Sequence, residues 1–383
     1  MKKTIYYWSP CLNKVGTVKA TINSAKSLLR YSEDYNVKII DVFGEWHEYK
    51  KEFKEKGIET IDLTFNYYRY LPKTGYVASR ISYIIIILIS FFPLIALLKK
   101  NKPEYLIIHL ITSLPLILFN IFNFKTKLIL RISGLPKLDY LRKKLWKFSS
   151  KDLFKITCPT LQTLSHLERS KIFISNKLAY LPDPIIEIND FRKKINDNNF
   201  KPEVELNFDF FLSVGRFSKQ KNFGYLINEF ENFFLKNKNI KLIIIGGGEE
   251  KNKLKKLIKN KNLDDNIFLL DRTENVFHYM KRAKAFVLSS LWEDPGFVLI
   301  ESALSNLFVI SSNCPNGPKE ILDYGKSGIL YENNKKNALS FSLEKYLSLG
   351  NVKNQKIQIK KNAMKYTQFR HFLKLDKFLK QLN

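Results

Sequence analysis

The chain has 383 residues, 45% of them hydrophobic and 14% aromatic, and carries 64 Lys+Arg against 36 Asp+Glu, a formal net charge of +28. That length holds two domains of ordinary size, and the composition lets both bury cores. The three cysteines, Cys11, Cys158 and Cys314, are odd in number and far apart; this excludes a disulfide framework and zinc-type spacing, and fits a reducing cytoplasm. The charge calls for an anionic partner: nucleic acid, an acidic membrane surface or phosphorylated substrates.

The N-terminus, Met-Lys-Lys-Thr-Ile-Tyr-Tyr-Trp, has basic residues, but its apolar stretch is too short for a signal peptide and reads as a first strand. Apolar, β-rich runs then alternate with helix-like stretches, the pattern of an α/β fold with parallel sheets. In the first half, strands are expected at 4–8, 37–42, 59–63, 105–109, 128–132, 154–157 and 178–181, with a helix from Gly16 to Leu29. The pattern pauses at Pro182-Asp183-Pro184. The polar, Asn-rich stretch 187–207 shows no clear periodicity and reads as the domain junction.

Residues 81–98 carry no charge and are flanked by Arg80 and Lys99-Lys100. Three readings stay open: a transmembrane span, a buried core helix, or a helix lying in a bilayer interface. A span would put strands of one sheet on opposite sides of a membrane. The interfacial reading draws on Lys73, Arg80, Lys99, Lys100 and Lys102.

The second half restarts the alternation. Strands are expected at 210–214, 241–245, 267–270, 285–288 and 308–311, and helices at 222–234, 250–259, 276–281 and 298–304. Another helix begins at Lys319, and 336–383 reads as mostly helical. The two halves are alike in kind, which suggests two facing Rossmann-like domains with ligands in the cleft between them. The boundaries read as 1–190, a linker 191–206, a second domain 207–360, and a C-terminal helix 361–383 packing back toward the first domain.

Two segments carry chemistry. Gly215-Arg216 with Lys221 follows a strand and opens a helix; both cations can converge on a diphosphate, the Arg as a fork and the Lys as a point charge. Glu293, just before Pro295-Gly296, sits in a strand-to-helix loop, and Glu301 lies inside the helix that follows. Such a loop offers free backbone N–H groups and a positive dipole end to an anion. The bland reading of each segment is an exposed basic loop and a polar loop with a helix-face Glu.

The order Gly-Arg-x4-Lys at 215–221, Gly246-Gly247-Gly248, then Glu-x7-Glu at 293–301 resembles the retaining glycosyltransferases of family 4, which have the GT-B fold. The resemblance is close over 207–335 and holds only by pattern in the first half. It implies that Arg216 and Lys221 bind the donor pyrophosphate, that Glu301 holds the ribose hydroxyls, and that Glu293 contacts the donor sugar. It further implies backbone N–H groups from Gly296, Phe297, Val298 and Leu299, Arg272 beside the nucleobase, and Gly16 facing the donor phosphates. The Pro103-Glu104…His109 strand resembles a family strand whose His lines the cleft; a satisfied strand-end histidine is the alternative there.

Many members carry a His-Gly pair after the fifth strand. Here the chain reads Arg131-Ile-Ser133-Gly134, so Arg131 or Ser133 occupies that acceptor-side region. Asp294-Pro295 also departs from the usual loop opening. The family needs no metal and no cofactor beyond the nucleotide-sugar donor. The reading is a nucleotide-sugar-dependent retaining glycosyltransferase with Glu293, Arg216, Lys221 and His109 at its reaction centre. It would work on a glycan acceptor, lipid-linked as the charge and the 81–98 segment suggest, as a peripheral protein of the cytoplasmic membrane making cell-surface polysaccharide or lipopolysaccharide. Its rivals are an epimerase or phosphorylase of the same architecture, or a basic nucleic-acid-binding protein. The last lacks a zinc finger, an Arg-rich arm or an RNP-like strand.

Overall fold

The computed structural model describes residues 2–12, 16–72 and 75–381; Lys73 and residues 13–15 lie outside the described residues. The chain forms two compact units, Met1–Pro184 with Gln368–Asn383, and Ile185–Thr367.

The first unit is a seven-stranded parallel sheet in the order β3-β2-β1-β4-β5-β6-β7. Its strands are β1 (Lys3–Trp8), β2 (Tyr35–Asp41), β3 (Glu59–Asp62), β4 (Tyr105–Ile108), β5 (Lys127–Arg131), β6 (Leu153–Cys158) and β7 (Leu178–Tyr180). Helices cover both faces, so the central strands are apolar on both sides, as β4, Tyr-Leu-Ile-Ile, shows. The two-residue period divides the side chains between two cores. Tyr6, Trp8, Leu106 and Ile108 enter one; Ile5, Tyr7, Tyr105 and Ile107 enter the other.

The second unit repeats the plan with six parallel strands in the order β10-β9-β8-β11-β12-β13. They are β8 (Asp209–Arg216), β9 (Ile240–Gly247), β10 (Ile267–Leu270), β11 (Ala285–Leu288), β12 (Phe308–Ser312) and β13 (Ile329–Tyr331). Leu212, Ile243 and Phe286 point to one core, and Phe211, Ile244 and Val287 to the other. The α/β class with two parallel-sheet, Rossmann-like units is therefore as the sequence pattern implies.

Three local differences have clear causes. The stretch 187–207 contains a helix, Ile188–Ile195, capped by the Glu187 carboxylate, which accepts from the N–H groups of Asn189 and Asp190. Residues 191–206 fall inside the second unit, where Phe191 meets Phe277 edge-on at 5.1 Å and Phe200 packs near Tyr279. The helix expected from Lys319 is only Pro318–Ile321, because Asp323 and Tyr324 take positive φ and turn the chain. The three-residue edge strand β13 is too short to show a period.

The Tyr76–Asn101 helix is amphipathic in an unusual sense, apolar on both faces. Ser82, Ile86, Ser90, Leu94 and Leu98, four residues apart, are buried, and Ile86, Leu94 and Leu98 join the core beside β1 and β4. Val77, Ile81, Ile84, Leu88 and Phe92 point outward, Leu88 at 69% and Phe92 at 76% exposure. By length and composition it could cross a membrane, and only 28% of its most apolar window is buried. Its inner face packs on a sheet whose strands β3 and β4 come before and after it, so it is not a span in this fold. Nor is it an ordinary core helix, since one long apolar face meets solvent.

The last helix, Gln368–Lys380, belongs to the first unit and packs on the Gly16–Tyr31 helix. A buried relay holds it. His371 Nδ1 lies 2.7 Å from the Pro182 carbonyl, which can only accept, so Nδ1 carries the proton. Nε2 is then an acceptor for the Ser24 hydroxyl at 2.8 Å, and Ser24 in turn accepts from Tyr7 at 2.9 Å. Burial above all, with Arg131 adding to it, drives the His371 pKa down to about 3.

Candidate functional site

In an open parallel sheet, ligands bind at the carboxyl ends of the strands, where loops and helix N-termini converge. In the second unit this edge is built by the residues after β8, β9, β11 and β12.

Close backbone approach sets its shape. A Cβ on Gly246 would stand 1.8 Å from the Gly215 carbonyl oxygen, so only glycine lets the ends of β8 and β9 meet. At Gly215 a Cβ would lie 3.1 Å from Lys221 Cε; the lysine stem therefore runs directly over this glycine. The stem delivers Lys221 Nζ to Glu293 Oε1 at 2.5 Å, with the side chains 13% and 4% exposed. The Ser290 hydroxyl donates to the same oxygen, also at 2.5 Å. Two donors on one oxygen fix the carboxylate and leave its second oxygen, Oε2, for another partner.

The loops carrying these residues are stitched together. Leu291 N–H donates to the Gln220 carbonyl at 2.8 Å, Gln220 Nε2 to the Trp292 carbonyl at 2.9 Å, and Ser289 Oγ to the Lys221 carbonyl at 2.8 Å. Glu293 N–H donates to the Pro315 carbonyl. Ser290 and Ser289 are site residues that the motif reading missed. The available signal was the hydroxyl three residues ahead of Glu293, the spacing of a turn. Cys314, nearby, is not a nucleophile in this setting: burial pushes its thiol up to about 12.

Gly296, at φ 98°, opens the Phe297–Leu304 helix. Of the four N–H groups expected to face a ligand, that of Leu299 is spent on the Gly296 carbonyl at 3.1 Å, which narrows the offer to Gly296, Phe297 and Val298. Phe297 and Val298 stand in the first turn, where no intrahelical acceptor exists. Glu301 lies in the next turn and is buried. Arg216, the last residue of β8, is 62% exposed and 3.2 Å from Glu249, a solvent-facing pair of little strength. The Arg272 side chain lies beside Gly247, its Nε 3.6 Å from where a Cβ there would be. Thus Gly215, Arg216, Lys221, Glu293 and Gly296 share one edge, joined by Arg272 across Gly247.

The first unit treats its residues differently. Gly16 is the exposed first residue of its helix. His109 follows β4 and is buried; Nδ1 is 3.0 Å from Thr21 Oγ1, while Nε2 is enclosed without a protein partner. Burial, then Arg131, holds its pKa well below the usual value, so the ring is neutral. Arg131 is not available to an acceptor: its Nη2 pairs with Asp183 Oδ1 at 2.5 Å, and both side chains are buried. Burial raises the Asp183 pKa, and the Arg131 charge opposes it. Of the two acceptor-side candidates, this leaves Ser133, half-buried in the loop after β5. Among the described residues no cluster of three or more His, Cys, Asp or Glu side chains could hold a metal ion.

Comparison with known proteins gives these features a context. Residues 194–366 match the family model described as glycosyl transferases group 1. An uncharacterised glycosyltransferase of Methanocaldococcus jannaschii is 33% identical over 268 residues, covering 62% of this chain and 66% of that protein; the chain thus spans about two thirds of its length. A Campylobacter jejuni enzyme is 27% identical over 365 residues, 94% of this chain and 93% of its own. Its name is GalNAc-alpha-(1->4)-GalNAc-alpha-(1->3)-diNAcBac-PP-undecaprenol alpha-1,4-N-acetyl-D-galactosaminyltransferase. Among solved structures, a Rickettsia africae glycosyltransferase superposes with a TM-score of 0.76 at 18% identity, over the whole of both chains. Anabaena HepE in complex with UDP gives 0.73 at 13%, over 99% of this chain and 100% of its own. At such identities the structural likeness speaks for the fold alone.

Proposed function

We propose that this chain, whose residues 194–366 match the family model of glycosyl transferases group 1 and whose fold is of GT-B type, moves a sugar from a nucleoside-diphosphate donor to a lipid-linked glycan, with retention of configuration, in bacterial cell-surface polysaccharide synthesis. The observation that carries the reading is the Lys221–Glu293–Ser290 constellation at the carboxyl edge of the second sheet. A cation and an anion paired at a strand edge, both nearly buried, form a polar site with a place for each half of a sugar nucleotide.

The proposed chemistry follows from charge. The donor's bond from anomeric carbon to phosphate oxygen breaks, and negative charge grows on the departing diphosphate. Lys221, Arg216 and the N–H groups of Phe297 and Val298 stabilise it. The acceptor hydroxyl attacks from the face the diphosphate leaves. Its proton passes to a diphosphate oxygen, so no protein base is needed. When phosphate takes over Lys221, Glu293 turns to the sugar hydroxyls. Glu301 holds the ribose and Arg272 the base. Neither a metal nor another cofactor enters this scheme; His109, neutral and enclosed, serves the acceptor side by shape and hydrogen bonding, with Ser133 on that side, and Gly16 faces the donor phosphates.

The acceptor class rests on relatives whose names include diphospho-undecaprenol carriers, and on the outward apolar face of the Tyr76–Asn101 helix. Laid in a bilayer interface, that face would hold the protein peripherally on the inner leaflet.

The test is calorimetric titration with UDP, GDP and their sugars, with and without chelator. Micromolar binding of one diphosphate, lost in Lys221→Ala and unaffected by chelator, is expected. No binding of any nucleoside diphosphate, or binding of oligonucleotides alone, overturns the reading. Release of free epimerised sugar without an acceptor would make it an epimerase.

A further inference from the structure

The first unit carries an open groove of about 630 Å³ that none of the donor chemistry uses. One wall is the end of the Tyr140–Ser149 helix and the turn after it, Lys144, Lys147, Phe148, Ser150 and Lys151. The other is Lys171 to Ile174, after the Leu161–Ser170 helix. The walls are fixed to each other. Ile174 N–H donates to Ser150 Oγ at 2.9 Å, and Lys177 Nζ donates to the carbonyls of Ser150 and Lys151. Phe173 is backed by Trp146 at 5.3 Å.

The groove is not a substrate subsite of the sheet. Its residues immediately precede β6 and β7, so it lies at the amino edge, whereas His109 and Ser133 follow β4 and β5 at the carboxyl edge. Its composition is two-sided: an apolar floor of Phe148, Ile172, Phe173 and Ile174, with four lysines around it. Among the described residues none of the four is in an ion pair. Asp152 and Glu168 are the acidic residues next to them along the chain. Two helix C-termini contribute about half a negative charge each, which the four ammonium groups outweigh. Tyr140, Leu141 and Phe148 extend the exposed apolar surface along the same helix. That helix and the Tyr76–Asn101 helix pack on the same side of the sheet, through Trp146 and through Ile86 and Leu94 of one core.

We propose that this groove seats an anionic phospholipid of the bilayer, its phosphodiester among Lys144, Lys147, Lys151 and Lys171 and an acyl chain over Phe148 and Ile174. This rests on the membrane reading above and adds a second, charge-selective contact to the apolar one. Nucleic acid would satisfy the lysines but not the apolar floor, where Phe148 is the one exposed ring and Phe173 is buried.

The test is co-sedimentation of the full chain with vesicles of phosphatidylcholine alone and of phosphatidylcholine mixed with phosphatidylglycerol, for wild type and for Lys144→Glu/Lys147→Glu/Lys151→Glu. These side chains are on the surface, and unchanged UDP binding reports an intact fold. Wild type should prefer the mixed vesicles, and the triple variant should lose that preference by about a hundredfold or more, at roughly a fivefold loss per lysine. Equal binding of variant and wild type to mixed vesicles overturns the groove assignment while leaving the apolar helix face as the anchor. Wild type that binds neither vesicle overturns the membrane reading and the groove with it. Loss of single-stranded oligonucleotide binding in the variant, with vesicle binding intact, would reassign the lysines to nucleic acid; competition by inorganic phosphate alone would reassign them to a free anion.

Discussion

Lys221 and Glu293 are 72 positions apart in the chain, and their charged atoms are 2.5 Å apart in the fold. Each is the other's neutralising partner in a nearly buried place, and Ser290 completes the set. A ligand with a diphosphate and sugar hydroxyls offers replacements for both halves of this pair.

Lys221→Ala should therefore weaken UDP far more than uridine. A charge-assisted hydrogen bond is worth about 1.5–3 kcal/mol, roughly tenfold to a hundredfold in Kd. Arg216→Ala should act in the same sense but less, since its side chain is open to solvent. Equal losses for UDP and uridine would remove both residues from the diphosphate.

The same pair makes a prediction about stability. Lys221→Ala strands a buried carboxylate, whereas Lys221→Ala/Glu293→Gln does not. The single variant should be less stable than the double by about 1–3 kcal/mol in denaturant titrations. A double variant at least as unstable as the single one contradicts the burial argument.

Glu293→Gln and Glu301→Ala should each lower kcat/KM on the order of tenfold to a hundredfold with the fold intact. Ser290→Ala should follow Glu293→Gln in direction with a smaller effect, because it frees the carboxylate without removing it. Near-normal kcat/KM in folded Glu293 and Glu301 variants would sink the site.

Acid should destabilise the first unit through His371 and His109. Both have folded pKa values below their unfolded ones, chiefly from burial. Stability is thus fully present above the unfolded pKa, about 6.5, and is lost as pH falls, because only the unfolded chain takes up the proton. The slope is up to about 1.4 kcal/mol per pH unit for each histidine, and for His371 it continues to about pH 3. His371→Leu should flatten the dependence of Tm on pH between these limits; an unchanged slope would place the titration elsewhere.

Glu45 has the opposite sign. Burial, then the neighbouring Asp41, raises its pKa well above the ordinary value. Its oxygens accept from the N–H groups of Val42 and Phe43. A raised carboxylate contributes stability at low pH that is lost as pH climbs through the folded pKa. Glu45→Gln keeps an accepting oxygen and should raise Tm above neutral pH more than at pH 4. Equal Tm changes at both pH values would contradict this.

The strand pattern was written in the chain because parallel strands buried on both faces must be continuously apolar. Runs such as 105–108 and 285–288, buried at every position, are strands of this kind. Gly215, Arg216, Lys221, Glu293 and Gly296 were legible because their spacing places them at the ends of such strands. Other features had no local signal. Whether Arg131 could meet a ligand depended on Asp183, 52 residues on, which claims it. That Ser290 shares the Glu293 oxygen with Lys221 depended on two loops meeting. The helix at 188–195 depended on a Glu cap and on Phe277, outside the segment. The 81–98 run fixed a helix by length and apolarity alone, but which face turned inward was decided by contact with the sheet, because a uniformly apolar sequence has no preferred side.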